Sequence, residues 1–298
     1  MGACGLRGCC GSHIRERDPR LLRTRETLGG CTEDRCRGTP VGQGFRKDGI
    51  RRVLTLCTSY AVEALLSMVF PRACRLCNRL LPFSYPPPVL SVCDECSQTL
   101  SFAFEPFCQK CGLPLDFPSQ VCGDCIEGDL QFDKARALFI YGGGAVSLVM
   151  SLKYGGRFDL AHELGRMLAW AALKNGMTEN DIVLPIPISI ERHIKRGYNQ
   201  SALLAKTVAK TLKIAFSPSV LYRQKDPGPQ DHHTRSERLR RQKGCFAVRK
   251  PEAIKDKRIL LVDDVMTTGA TASECARVLK RSGASTVEVL VVCRAVGR

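Results

Sequence analysis

The fold of this chain is indicated most clearly by the stretch Ile259-Leu-Leu-Val-Asp-Asp-Val-Met-Thr-Thr-Gly-Ala-Thr271. Its beginning, together with Arg258, is a short apolar run of the kind that is buried in a parallel sheet. The run ends in Asp263-Asp264, and a loop of small and hydroxyl residues then leads into a helix predicted to begin near Thr271. This order of strand, carboxylates, loop and helix predicts a ligand site at the carboxyl end of a strand.

Each part of this stretch suits one portion of a phosphorylated sugar. Two carboxylates can accept hydrogen bonds from vicinal hydroxyls, and the free amides of a helix N-terminus attract a phosphate. Thr267, Thr268 and Thr271 add hydroxyl donors, while Gly269 and Ala270 are small enough for the backbone to close around an anion. A plain loop turn with a capping threonine would use the same residue types, but all four parts in this order favour a binding site.

Strands alternate with helices from Phe132 onwards. The apolar patterns predict strands at 135–141, 181–184, 258–262 and 286–292, and helices at 145–153, 159–174, 200–212 and 271–282. Such alternation is typical of an α/β fold with a mainly parallel sheet.

The chain divides into four parts by composition. Residues 1–52 show no lasting periodicity and predict a disordered basic extension. An apolar leading helix is predicted at 53–71, a cysteine- and proline-rich module with few regular elements at 72–130, and the α/β domain at 131–298.

The chain of 298 residues has a formal net charge of +16, which suits polyanionic partners. Much of the excess lies in two stretches, residues 1–52 with 12 basic and 6 acidic side chains and residues 223–250 with 9 and 3. The charge alone therefore identifies no partner. No apolar run reaches the roughly 18 to 20 residues of a membrane span, and no secretory signal is visible, so we expect a cytoplasmic protein.

Four Cys-x-x-Cys pairs occur within the cysteine-rich module, with fifteen residues between the first two pairs and ten between the last two. Two such pairs form one tetrahedral Cys₄ zinc site, and an all-thiolate site is structural. Three arrangements are possible. The four pairs can bind two ions in sequence order, bind two ions in a crossed pairing, or bind one ion and leave two pairs without metal. The pairs are Cys74/Cys77, Cys93/Cys96, Cys108/Cys111 and Cys122/Cys125. The unpaired Cys57, Cys245, Cys275 and Cys293 are predicted to be buried packing residues.

The stretch 259–271 resembles the phosphoribosyl pyrophosphate motif of type I phosphoribosyltransferases. The resemblance implies that Asp263 and Asp264 bind the ribose hydroxyls and that the loop 267–271 binds the 5′-phosphate. It also implies Mg²⁺ bound together with phosphoribosyl pyrophosphate, and displacement of pyrophosphate at the ribose C1. Purine-salvage members usually place an aspartate general base where this chain has Thr267, which argues against purine salvage. No residue of the sequence stands out as a general base.

Pro185-Ile-Pro187, the later Arg196-Gly-Tyr-Asn-Gln200 and Leu152-Lys-Tyr-Gly-Gly156 resemble elements of the ComF family, a bacterial branch of these transferases linked to DNA uptake. A double zinc ribbon before the transferase domain is also what ComF-like proteins have. The resemblance extends over about residues 68–294. It implies that several basic side chains bind the pyrophosphate, namely Lys153, Arg192, Lys195, Arg196 and Arg238.

In ComF proteins the segment that corresponds to 223–250 is a mobile loop that covers the substrate. This chain departs from the usual pattern there, with Asp231-His-His-Thr234 in place of a more apolar stretch and Arg241 where asparagine is common. We interpret His232 and His233 as solvated loop residues.

Two classes of function fit these observations. The first is an enzyme that transfers phosphoribose to an acceptor. The second is a non-catalytic protein that handles single-stranded DNA, together with the DNA-uptake machinery, or senses a nucleotide. With one tryptophan, six tyrosines and no basic–aromatic ladder along the sequence, strong nucleic-acid recognition is disfavoured.

Overall fold

The structure is a computed structural model and describes residues 65–66, 69–82, 89–116, 120–128, 130–226 and 235–296. The predicted basic extension, Cys57 and the histidine pair of the loop at 231–234 lie outside these residues. Of the predicted leading helix, residues 65–66 and 69–71 are described: Leu65, Leu66 and Val69 are helical, whereas Phe70 and Pro71 are not.

Five strands form one parallel sheet. Numbered in chain order, they are β1 (Lys134–Ile140), β2 (Ile182–Pro185), β3 (Ala215–Phe216), β6 (Arg258–Met266) and β7 (Thr286–Arg294). Their order in the sheet is β1-β7-β6-β2-β3, which confirms the predicted α/β fold with a parallel sheet. A separate antiparallel hairpin consists of β4 (Leu221–Arg223) and β5 (Phe246–Val248).

Besides the helical Leu65, Leu66 and Val69, eight described α-helices lie in the cysteine-rich module and around the sheet. In the module lie α1 (Asp94–Ser97) and α2 (Gly123–Glu127). The α/β part contains α3 (Gly143–Tyr154), α4 (Phe158–Lys174), α5 (Ile190–Arg196), α6 (Gln200–Leu212), α7 (Arg235–Gln242) and α8 (Ala270–Arg281). Within the described residues, no helix is long and apolar enough to cross a bilayer.

The sheet is buried on both faces, as its continuous apolar strands predict. Successive side chains of a strand point to opposite faces, so Leu260 and Val262 pack with α3, α4 and α6, while Ile259 and Leu261 pack with α8 and the second half of the cysteine-rich module. These two cores hold β6, and hence the acidic pair, at the centre of the sheet.

Strand β6 is longer than predicted and runs to Met266, so the acidic pair lies inside the strand and not at its end. The predicted strand end at Val262 was wrong, because the polar residues that follow the apolar run remain paired with β7. Pairing with β7 continues through Asp263, opposite Val291, and Met266, opposite Arg294. Helices α5 and α7 and the hairpin β4–β5 were not predicted either.

The cysteine-rich module covers the edge of the sheet at β1. Ala103 N donates to Leu138 O at 2.8 Å, and Ile140 N donates to Ser101 O at 2.7 Å, so the chain near residue 102 pairs antiparallel with β1. Gly112 has a φ of +66°, and a Cβ there would lie 2.7 Å from Ala135 O. Only glycine permits this close approach, and the sheet edge is protected from pairing with another chain.

Candidate functional site

The loop between β6 and α8 forms a pocket that opens beside the acidic pair. Its lining includes Asp263, Arg238 and the run from Thr267 to Ala272. Gly269 is the N-cap of α8 and has no side chain to cap the helix. Ala270 N donates to Thr268 Oγ1 at 3.4 Å. The first turn of a helix leaves amides without an intrahelical acceptor, and such amides can bind an anion.

Gly269 has a φ of +78°, in the left-handed region that favours glycine. A Cβ at this position would lie 3.4 Å from the ring of Phe132, an ordinary van der Waals contact. The backbone turn, and not the packing beneath the loop, therefore favours glycine here.

The two carboxylates of β6 are held by the beginning of α6. Ser201 Oγ donates to Asp263 Oδ1 at 2.7 Å, and Gln200 Nε2 donates to Asp264 Oδ2 at 2.7 Å. Lys153 Nζ lies 3.2 Å from Asp264 Oδ1. Asp264 is buried, while Asp263 is only partly buried and also lines the pocket of the loop.

Burial, reinforced by the neighbouring charge of Asp264, raises the pKa of Asp263 from 3.8 to about 7. The hydrogen bond from Ser201 and the charge of Lys153 oppose this shift without cancelling it. Asp263 therefore changes protonation near neutral pH, which is typical of carboxyl groups at functional sites.

Two of the predicted pyrophosphate-binding cations meet at the acidic pair. Lys153 contacts Asp264 directly, and Arg196 Nη1 donates to Gln200 Oε1 at 3.1 Å, so Gln200 links Arg196 to the same carboxylate. Arg196 also stacks on Tyr154, with its guanidinium carbon 5.0 Å from the ring centroid. The structure thus brings these two residues together.

Two other predicted pyrophosphate-binding cations, Arg192 and Lys195, lie away from the acidic pair. Arg192 and Lys195 are exposed on α5, and Arg192 interacts electrostatically with Asp226. Neither residue has a described contact with the acidic pair.

Arg238 lies at the loop and not beside Lys153. Its Nη1 is 3.5 Å from Thr267 Oγ1, and its buried Nε has no hydrogen-bond partner among the described residues. A buried guanidinium donor without a partner is costly, so this side chain is suited to receive an anion.

Sequence reasoning did not assign roles to Gln200 and Ser201. A local signal for them exists, since Asn199 Oδ1 caps α6 by accepting from Ser201 N at 2.9 Å. Asn199 is a residue type that favours helix N-caps and so predicts a helix start at Gln200. Because this helix follows β2, which pairs with β6, its first residues can lie near the acidic pair.

The eight paired cysteines form two Cys₄ sets in sequence order, so the crossed pairing is not adopted. The sulfur atoms of each set lie within 4.8 Å of one another. Cys77 and Cys93 are 3.7 Å apart and Cys111 and Cys122 3.6 Å, close to the edge of about 3.8 Å of a tetrahedron with 2.3 Å bonds to zinc. Both sets fit structural zinc. The sets are Cys74, Cys77, Cys93 and Cys96, and Cys108, Cys111, Cys122 and Cys125.

Backbone amides support both sets. Cys93 N donates to Cys74 Sγ at 3.4 Å in the first set, and Cys122 N donates to Cys108 Sγ at 3.3 Å in the second. Such hydrogen bonds stabilise thiolates and orient them toward a metal. The unpaired Cys245, Cys275 and Cys293 are buried, as predicted.

Two family models match separate parts of the chain. Residues 65–126 match the model of the double zinc ribbon domain, and residues 198–297 match that of the phosphoribosyl transferase domain.

Relatives share both parts. DNA utilization protein YhgH of Salmonella typhi is 31% identical over 231 residues, covering 76% of this chain and 99% of the relative. Competence protein F of Haemophilus influenzae is 29% identical over 211 residues, covering 68% of this chain and 90% of the relative. A solved structure of the allosteric regulatory enzyme of purine biosynthesis is 22% identical, with a TM-score of 0.34 over 48% of this chain and 30% of that one. Because the sequence similarity extends along nearly the whole length of the first relative, the chain belongs to the ComF family.

Proposed function

We propose that the chain binds phosphoribosyl pyrophosphate, or a related ribose 5-phosphate group, and transfers the phosphoribosyl group to an acceptor. One observation supports this most strongly. Asp263 lines the same pocket as the loop 267–271, while Asp264 contacts Lys153 and is linked through Gln200 to Arg196. A ligand with a phosphate, two hydroxyls and a diphosphate matches these three groups of side chains.

In this proposal Asp263 and Asp264 accept hydrogen bonds from the ribose hydroxyls and favour positive charge developing at C1. The amides at the start of α8 and the hydroxyls of the loop hold the 5′-phosphate. Lys153 and Arg196 stabilise the leaving pyrophosphate. Mg²⁺, when bound with the ligand, neutralises part of the diphosphate charge.

The acceptor is proposed to be something other than a purine base. Thr267 is exposed at the position where purine-salvage enzymes present an aspartate, and a threonine hydroxyl cannot act as a comparable base. An acceptor whose nucleophile needs no proton removed by the protein fits this site best.

Titration calorimetry with phosphoribosyl pyrophosphate and Mg²⁺ tests the binding step. We expect binding by the wild type and a loss of at least about tenfold in affinity in Asp263→Asn/Asp264→Asn, since several hydrogen bonds to charged acceptors are weakened. Asp256→Asn/Glu252→Gln removes two exposed carboxylates elsewhere and should change nothing.

Absence of binding by the wild type, or equal affinity in the double variant of the site, would contradict the proposal. Pyrophosphate release in the presence of candidate acceptors then separates the enzyme from a non-catalytic sensor. A protein that binds the ligand but releases no pyrophosphate with any acceptor fits the sensor.

A second candidate function, handling of single-stranded DNA, gains support from one surface. Tyr154 and Phe158 are more than half exposed, the rings of Phe158 and Tyr198 are 5.0 Å apart, and Arg157 and Arg196 lie beside them. We call these five residues the aromatic–basic surface. Stacked bases and a phosphate backbone suit such a surface. The sequence argument against a basic–aromatic arrangement missed this surface because it combines two segments, residues 154–158 and 196–198.

Fluorescence anisotropy with a labelled oligothymidylate tests this candidate. Tyr154→Ala and Phe158→Ala should each weaken binding by roughly tenfold, because loss of one stacked base costs about 1–3 kcal/mol. Tyr141→Ala, at a partly exposed tyrosine after β1, is the matched control. Equal affinity in all four proteins would exclude this surface as the DNA site.

The compartment is also a proposal. Two sets of reduced cysteines arranged for zinc fit a reducing compartment such as the cytoplasm. We propose the DNA-uptake machinery as a partner because a relative is named competence protein F.

A further inference from the structure

The guanidinium of Arg294 joins the second Cys₄ set to the loop 267–271, which we call the phosphate loop. Arg294 is the last residue of β7 and is only 5% exposed. Its Nη1 donates to Met266 O at 3.2 Å and to Thr267 O, and its Nε donates to Cys111 O at 3.3 Å. Arg294 Nη2 also lies 3.9 Å from Cys111 Sγ. One buried side chain therefore contacts both a zinc ligand and the beginning of the loop.

This arrangement fixes the distance between Cys111 of the second Cys₄ set and the start of the phosphate loop at Met266 and Thr267. A guanidinium presents its donors in a rigid plane, so carbonyls bound at different edges of that plane cannot move independently. Leaving the charge buried without these acceptors would be costly, which holds the contacts in place. A shift of Cys111 should therefore be transmitted to Met266 and Thr267.

Packing between the same two parts of the chain reinforces the connection. Leu130 and Phe132, which follow the second Cys₄ set, lie against Gly269 of the loop. Between them, Gln131 N donates to Ser273 Oγ at 3.1 Å, in the first turn of α8. The loop thus rests on the segment that leaves the zinc site.

The first Cys₄ set has different neighbours. Arg75, beside its ligand Cys74, forms ion pairs with Asp159 and Glu163 on α4, and Thr99 O accepts from Gly144 N on α3. These described contacts stabilise the opposite side of the sheet and do not involve the phosphate loop.

We propose that Arg294 is a positioning residue through which zinc in the second Cys₄ set holds the phosphate loop in its binding geometry. This rests on the proposed function, since it concerns affinity at the same loop. Zinc at the second set raises the affinity for ribose 5-phosphate, and by reciprocity the ligand raises the affinity for that zinc.

Arg294→Lys tests the proposal with a matched control in the same structure. Arg136 is also buried, at 4% exposure, and also joins the module to the sheet, by donating to Gln109 O at 3.0 Å and Gln109 Oε1 at 2.7 Å. It has no described contact with the phosphate loop. Arg136→Lys should therefore cost comparable stability without changing the loop.

Affinity for ribose 5-phosphate is measured by calorimetry at confirmed zinc content. Arg294→Lys should bind about tenfold more weakly than wild type, since a lysine can replace only part of the hydrogen bonds to the loop carbonyls, while Arg136→Lys should bind normally. If the wild type binds and Arg294→Lys binds equally well, the inference is wrong while the proposed function stands. If the wild type does not bind ribose 5-phosphate or phosphoribosyl pyrophosphate, the proposed function itself fails.

A second measurement needs no variant and applies even if Arg294→Lys does not fold. Amide hydrogen exchange is compared between zinc-loaded and chelator-treated wild type. Exchange at 268–272 should accelerate on zinc removal while exchange in the centre of α6 stays slow. Unchanged exchange at 268–272 after zinc loss would overturn the inference.

Discussion

Lys153 on α3 forms an ion pair with Asp264 on β6, with 3.2 Å between Nζ and Oδ1. Asp264 is buried, and Gln200 occupies its other oxygen at 2.7 Å. A cation proposed for the pyrophosphate and a carboxylate proposed for the ribose thus lie in direct contact. Such preorganisation lowers the cost of assembling the site when a ligand binds.

Replacing Lys153 with methionine should weaken binding of phosphoribosyl pyrophosphate by about tenfold or more, because one charge-assisted contact is lost. Ribose 5-phosphate, which has no diphosphate, should lose much less affinity. The stability should fall by about 1–3 kcal/mol, since the buried Asp264 keeps a single partner. Calorimetry with both ligands and urea unfolding provide the measurements.

Lys206→Met, at an exposed position on α6, is the control for Lys153→Met. Equal losses for the two ligands would show that Lys153 does not face the diphosphate.

Arg238→Gln should weaken ribose 5-phosphate and phosphoribosyl pyrophosphate to a similar degree, by about tenfold, because Arg238 lies at Thr267 in the phosphate pocket. Arg240→Gln removes an exposed arginine of the same helix and should have little effect. A selective loss for phosphoribosyl pyrophosphate would return Arg238 to the pyrophosphate role implied by the family resemblance.

Stability should depend on pH through Asp263. Burial, with the added charge of Asp264, raises its pKa from 3.8 to about 7 in the folded protein. The folded state therefore keeps a proton that the unfolded chain releases above about pH 4. This contribution to stability is fully present below about pH 4 and is lost as pH rises through about 7.

Urea unfolding of wild type and Asp263→Asn across this range measures the effect. The stability of the wild type relative to the variant should decrease between about pH 4 and about pH 7, since asparagine does not titrate. A constant difference, or an increase with pH, would contradict the raised pKa.

Metal analysis should find two zinc ions per chain, as the two separate Cys₄ sets imply. Cys122→Ser should reduce the content to one and lower the melting temperature more than Cys77→Ser. The reason is burial, since the second set is wholly buried whereas Cys77 is exposed. Equal melting temperatures for the two variants would show that burial does not decide the contribution of each set.

The fold could be predicted largely because apolar runs and turn residues repeat along the α/β part. Helix α6 was placed correctly at Gln200–Leu212, and α4 began one residue earlier than expected, at Phe158. The end of β6 could not be predicted from apolar character, since Asp263 and Asp264 remain in the strand through pairing with β7 and contacts with α6.

Contacts between distant segments were beyond sequence reasoning. Arg294 and Met266 are neighbours on adjacent strands, but nothing local in the sequence places the guanidinium at Cys111. Tyr154 and Tyr198 likewise join one surface only because α3 and the turn before α6 pack together, where Tyr198 Oη donates to Leu152 O at 2.6 Å. Motif spacing identified the loop and the zinc ligands because each motif is short and local in the sequence.

A crystal structure of the protein with ribose 5-phosphate would show whether the loop 267–271 and the acidic pair bind this ligand. We expect the phosphate within hydrogen-bond distance of the backbone amides at 269–272, with both ribose hydroxyls on Asp263 and Asp264. A ligand that saturates the protein in solution but occupies another place in the crystal, leaving this loop empty, would contradict this expectation.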